Sequence, residues 1–204
     1  SMAPTVEVYS IDEAFIELGE SWAGDLLAYG RQIRARVQQW TGLTVGVGIA
    51  PTKTLAKLAN YAAKKWPATG GVVDLHDELR RARLMAITPV EEVWGIGRRL
   101  TVKLQRQAIH TVADLVASDA KRLRAQFGVV VERIVQELRG LPCAELAVEP
   151  VAKQQILSSR SFGERITECA AMAQALAGFM ARAAEKLRAE EMCCQRVHLF
   201  VRTS

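Results

Sequence analysis

Apolar and polar positions alternate over residues 5–18, TVEVYSIDEAFIEL, and predict two short strands. Over 22–40 the apolar positions Trp22, Leu26, Tyr29, Ile33, Val37 and Trp40 recur at spacings of three and four, a helical stripe that Thr41-Gly42 ends. Residues 44–49, TVGVGI, predict a buried strand. Val45, Val47 and Ile49 lie on one face of it, and Thr44, Gly46 and Gly48 lie on the other. A glycine face of this kind lets another group come close to the strand backbone. A helix is expected over about 52–65, halted near Pro67, with Thr52 as its cap. A short strand at 72–75 and a helix over about 77–85 follow. From Thr88-Pro89 to 148 the pattern changes to short helices, broken at Gly95, Gly97, Gly128 and Gly140-Leu141-Pro142. A linker covers 143–152. Beyond it we expect a strand at about 154–160, a helix and a strand at about 195–202. The helix stripe of Met172, Leu176, Phe179, Met180, Ala183 and Leu187 is expected to be core.

Composition narrows the class. Half of the 204 residues are hydrophobic and 24% are charged, which excludes a disordered or low-complexity chain. No apolar run approaches the ~20 residues that span a bilayer. Cys143, Cys169, Cys193 and Cys194 lack zinc-ligand spacing and read as reduced thiols of a cytoplasmic protein. Ser1-Met2 reads as a cloning scar. The net charge of +5 is unevenly placed. One acid-free stretch holds Lys53, Lys57, Lys64 and Lys65, and another holds Arg98, Arg99, Lys103 and Arg106. Two such stretches raise the case for a polyanionic partner.

Three constellations could carry chemistry. In Ser10-Ile11-Asp12-Glu13-Ala14-Phe15, a straight strand would put Glu13 on the face of Ile11 and Phe15, where an unpaired carboxylate is costly. A hairpin tip at Ile11–Glu13 removes the conflict and lets Asp12 and Glu13 converge as hard oxygen donors for Mg2+. A polar turn with no ligand would use the same residues. Gly46 to Thr54 is reminiscent of a phosphate-binding loop, but Thr52 stands where that motif needs glycine and Pro51 removes an amide. An NTPase is therefore excluded. Trp94-Gly95-Ile96-Gly97 leads into Arg98, Arg99, Leu100 and Lys103. A turn of this type opening a helix leaves amides free for a phosphate. It suits a helix-hairpin-helix that grips DNA without reading sequence, although a plain helix hairpin remains the simpler alternative.

Together these strings resemble the Y-family of translesion DNA polymerases, within it the UmuC branch and its plasmid-borne RulB-type relatives. The resemblance rests on VEVYSIDEAFIEL (6–18), LTVGVGIAPTKTLAKLANYAAKKWPATGGVVDL (43–75), VEEVWGIGRRL (90–100) and SSRSFGERIT (158–167). It implies an α+β multidomain chain. Residues 5–85 would be a partial palm with a mixed α/β sheet, 86–148 an all-α helix-hairpin-helix thumb, and 153–204 the start of an α/β little finger. It implies Asp12 and Glu13 as catalytic, metal-binding carboxylates for two Mg2+ ions, and Lys64, or its neighbour Lys65, at the incoming dNTP. It also implies Gly95, Ile96, Gly97, Arg98, Arg99, Lys103, Arg160 and Ser161 as contacts to primer-template DNA. A UmuD′-type subunit, RecA and the sliding clamp would be partners. The family's first carboxylate lies in a string of the type D-x-[ND]-x-F-[YF]-A-S, which does not occur in this chain, and the fingers segment is likewise missing. The expectation is an internal fragment of an error-prone, lesion-bypassing polymerase of the SOS response. Alone it would be inactive and prone to self-association through open strand edges. The competing reading is a non-catalytic DNA- or partner-binding module from a split UmuC-like protein.

Overall fold

The structure is a computed structural model that describes residues 5–19, 22–146 and 154–202. The chain forms two compact units, 1–149 and 150–204. Most of the linker expected at 143–152, residues 1–2 and the start of the expected little finger at residue 153 lie outside the described residues.

The first unit opens with an antiparallel hairpin of β1 (Thr5–Val8) and β2 (Ala14–Glu17), in register Thr5 with Glu17 and Val8 with Ala14. The chain turns where the buried-carboxylate conflict demanded it. The amides of Tyr9 and Ser10 both donate to the Glu13 carbonyl, at 3.0 Å each. Glu7 and Phe15 pair on one face, and Val6 and Ile16 pair on the other. That second face is exposed.

Helix α1 (Leu26–Thr41) starts four residues later than its apolar stripe, because the Asp25 carboxylate accepts the Ala28 amide and caps it there. Trp22 lies ahead of the cap and packs on Tyr29, ring centroids 4.6 Å apart. Next come β3 (Val47–Ile49), α2 (Lys53–Lys65) and β4 (Val72–Asp74), with β3 and β4 parallel, Val47 beside Val72. The two helices cover opposite faces of this pair. At Gly30 of α1 an added Cβ would sit 2.7 Å from a Val72 methyl. At Gly48 it would sit 2.2 Å from the Ala56 carbonyl and 2.3 Å from the Asn60 amide. The glycine face of the sequence is thus the seat of α2. Among the described residues β1–β2 and β3–β4 remain two separate two-stranded sheets.

Helices α3 (Glu78–Ile87), α4 (Arg98–Gln105), α5 (Val112–Ala117), α6 (Ala120–Phe127) and α7 (Val129–Leu138) complete the unit. Each of α3, α5 and α6 is capped by its own Asp or Thr, namely Asp77, Thr111 and Asp119. One hydrophobic cluster runs from Leu55 and Leu58 of α2 through Val90, Leu104 and Leu115 to Val135 and Leu138 of α7. It crosses the expected palm–thumb boundary at 85/86 without a break.

In the second unit, α8 (Cys169–Ala189) forms where expected, but the flanking segments do not form strands. Residues 154–160 and 195–202 find no strand partner among the described residues, and the Leu157 carbonyl accepts from Lys186 Nζ instead of from a ladder. The α8 stripe, expected as core, is accordingly only half-buried. Met180 is 41% exposed, and no residue of the helix is buried. The four cysteines are free and exposed.

Candidate active site at the hairpin tip and helix α2

Helix α2 owes its position to three local features. Thr52 caps it by accepting the Leu55 amide. Gly48 lets its backbone settle on the sheet. Its last turn ends at Trp66-Pro67. A spacing of four, three and four along α2 aligns Lys53, Lys57, Asn60 and Lys64 on one helix face. This face meets the hairpin. Lys57 Nζ lies 2.6 Å from Glu13 Oε2, with the two side chains 22% and 28% exposed. Lys53 donates to the buried Glu7 and to the Glu145 carbonyl, at 2.5 and 2.7 Å. The ammonium groups of Lys53 and Lys57 also face rings, 5.3 Å from the centre of Phe15 and 5.6 Å from that of Tyr9. Asn60 donates to the Gly46 carbonyl. The stem of Lys64 crosses Gly46, where an added Cβ would lie 2.9 Å from Lys64 Cγ.

Asp12 is exposed at the tip, and the Ser10 hydroxyl donates to its carboxylate at 2.6 Å. That bond holds the Asp12 carboxyl below its ordinary range. Desolvation, the next largest effect, pushes it up, and a backbone hydrogen bond and the charges of Lys64 and Lys57 add smaller downward pulls. Asp12 is therefore ionised at neutral pH. Asp12 and Glu13 supply hard oxygens suited to Mg2+, and the sequence expectation places the metal there. Among the described residues no group of three His, Cys, Asp or Glu side chains is arranged to hold a metal ion.

The other expected residues fall in three places. Lys65 is exposed in the last turn of α2, outside the stripe that meets the hairpin. Gly95, Ile96 and Gly97 form the turn into α4, with Gly95 at φ 90° and Ile96 buried. Before it stands only a single 3-10 turn, Val90–Glu92, so the hairpin of helices is short on that side. Gly97 leaves α4 without a side-chain cap, and Arg98, Arg99 and Lys103 are exposed beside it. Arg160 and Ser161 are exposed in the second unit. Arg160 lines a cleft of about 360 Å3 together with Ser158, Ser159, Arg182 and Lys186.

Several contributors escaped the sequence reading. Trp94 edges against Tyr9 and leans on Phe15, centroids 5.3 and 5.8 Å apart, and donates from Nε1 to the Tyr9 hydroxyl. It ties the glycine turn to the hairpin that carries the carboxylates. Glu137 of α7 is 3% exposed and receives the Thr54 amide and hydroxyl on Oε2, at 2.9 and 2.5 Å, and the Cys143 amide on Oε1. Its carbonyl also accepts the Thr52 hydroxyl. The start of α2, which a phosphate would occupy in a phosphate-binding loop, is thus filled by a carboxylate.

Comparison with known proteins gives the lineage. Residues 1–61 match the impB/mucB/samB family model, and residues 153–204 match the model of that family's C-terminal domain. The chain is 54% identical to protein MucB of Escherichia coli and 55% to protein UmuC of Salmonella typhimurium, each over the whole chain and 49% of the relative. It is 32% identical to DNA polymerase IV of Moorella thermoacetica over 80% of the chain and 39% of that protein. The chain thus spans about half the length of the curated relatives it matches. Among solved structures, a Y-family DNA polymerase chimera superposes with a TM-score of 0.64. The identity is 22%, over 91% of this chain and 53% of the other. DinB from Sulfolobus solfataricus gives 0.53 over the same shares. The fold is that of partial polymerase domains, in which helices combine with small sheets, and the chain belongs to the impB/mucB/samB family.

Proposed function

We propose that this chain contributes the carboxylate pair, the triphosphate lysine and the DNA-gripping thumb of an error-prone, lesion-bypassing DNA polymerase. The observation that carries the reading is the meeting of the Asp12–Glu13 tip with the lysine face of α2. An anionic reaction needs these two kinds of group side by side. The carboxylates would hold Mg2+, which when bound stabilises the attacking and leaving oxygens of nucleotidyl transfer. Lys64 would neutralise and orient the triphosphate of the incoming dNTP, with Lys65 the less favoured neighbour. The amides and cations from Gly95 to Lys103 would hold backbone phosphates of primer-template DNA without reading sequence, and Arg160 and Ser161 would add contacts from the second unit. Residues 5–85, 86–148 and 153–204 then act as partial palm, thumb and start of the little finger. A UmuD′-type subunit, RecA and the sliding clamp belong to this reading as partners of the longer, cytoplasmic protein. Self-association through the exposed hairpin face belongs to it as well. Among the described residues no helix is long and apolar enough to cross a membrane.

The test is a chimera in which this chain replaces the matching half of MucB. We expect template-directed primer extension that Asp12→Ala and Glu13→Ala each reduce by roughly 100-fold or more. Extension that survives both substitutions refutes the assignment and favours the non-catalytic module.

A further inference from the structure

The site contains a cation that the proposed chemistry does not use. Lys57 Nζ rests on Glu13 Oε2 at 2.6 Å, both side chains partly buried, and lies 5.6 Å from the centre of the Tyr9 ring. The neighbouring lysine cannot take over this position, because Lys53 is already held by Glu7 and the Glu145 carbonyl. Asp12 has a different partner, the Ser10 hydroxyl, and stays open to solvent. A divalent cation that takes Glu13 as a ligand must sit about 2 Å from its oxygens. An ammonium on Oε2 of the same carboxylate then places a second positive charge within a few ångströms of that metal, and the two charges compete for one anionic group.

Building on the carboxylate reading above, we propose that Lys57 is a resident counter-ion of the metal site. It neutralises Glu13 in the metal-free protein, and it sets divalent-cation affinity because its charge opposes that of a metal on the shared carboxylate. Without the counter-ion, Glu13 and Asp12 would leave two adjacent carboxylates uncompensated at the tip.

The experiment titrates the full chain with Mn2+ alone, without nucleotide or DNA, and follows free Mn2+ by electron paramagnetic resonance. Lys57→Met keeps the stem against Tyr9 and removes the charge. The result expected is a gain in Mn2+ affinity of about fivefold or more, which Asp12→Asn in the same background abolishes. Lys121→Met, a charge lost from the exposed face of α6, gives no gain. Unchanged or weaker binding by Lys57→Met, with Asp12→Asn still weakening the parent chain, overturns the counter-ion role and leaves the carboxylate assignment standing. Binding that ignores Asp12 in both proteins overturns both. Circular dichroism checks the fold of each variant. If Lys57→Met does not fold, Lys57→Gln carries the same expectations.

Discussion

Replacement of Glu137 by alanine removes the carboxylate that hydrogen-bonds α7 to the start of α2. The carboxylate takes two donors from Thr54, an amide and a hydroxyl, and a third from the Cys143 amide. Thr54 is itself 3% exposed, so its donors would lose their acceptor with no water to replace it. Hydrogen bonds to a charged acceptor contribute about 1.5–3 kcal/mol each, and buried orphan donors carry a penalty on top. Part is recovered as the site relaxes, which gives a net loss of about 3–4 kcal/mol. With a urea m-value of roughly 2 kcal/mol/M, the midpoint should fall by about 1.5–2 M at unchanged m. Glu137→Gln keeps the volume and one neutral acceptor, and should lose about half as much. The far-UV circular dichroism of α2 and its neighbours reports the transition. A double-mutant cycle with Thr54→Val isolates the contact, and the double variant should be little worse than Glu137→Ala alone. A loss under about 1 kcal/mol, or strict additivity in the cycle, would refute the claim that this carboxylate anchors the lysine helix.

Four further outcomes follow from the geometry. Gly48→Ala should cost several kcal/mol, roughly 3 or more, in thermal unfolding, because its Cβ meets backbone atoms of α2 on two sides. Gly46→Ala meets the flexible Lys64 stem at 2.9 Å and the Asn60 amide nitrogen at 3.4 Å, side chains rather than backbone, and should cost about 1 kcal/mol or less. Ser10→Ala should raise the Asp12 pKa toward its ordinary value in a carbon-detected NMR titration. The sign follows from the depressed folded value. Stability linked to Asp12 is present above the unfolded pKa and lost as pH falls through the folded one, so an unmoved Asp12 titration in the variant would contradict the hydrogen-bond cause. Finally, Arg98→Ala or Arg99→Ala should weaken DNA binding by the chain on any sequence. Each should flatten the slope of log affinity against log salt by about 1, and a variant with the parent slope would remove that arginine from the phosphate contacts.

What the sequence showed in advance was local. The cap at Thr52, the close approach at the glycine face of β3, the stripe of α1, the span of α2 and the hairpin tip at Ile11–Glu13 all arise within a few residues, where spacing and side-chain type decide the outcome. Contacts made across the fold were not legible. Glu13 and Lys57 are 44 positions apart, Thr54 and Glu137 are 83, and Tyr9 and Trp94 are 85. No periodicity links such pairs. The second unit shows the converse. Its helix needs only its own hydrogen bonds and forms as read, whereas the flanking strands depend on partners that 154–160 and 195–202 do not find among the described residues.

The central claim is that the hairpin tip and α2 converge on one reacting centre. Single-turnover primer extension by the MucB chimera, compared among Asp12→Asn, Lys64→Ala and the double variant, tests this most directly. Groups that stabilise the same transition state are strongly non-additive. Each single substitution should slow extension by roughly 100-fold, and the double variant should lose far less than the product of the two. A double loss equal to that product, or a single variant as fast as the parent, would contradict it.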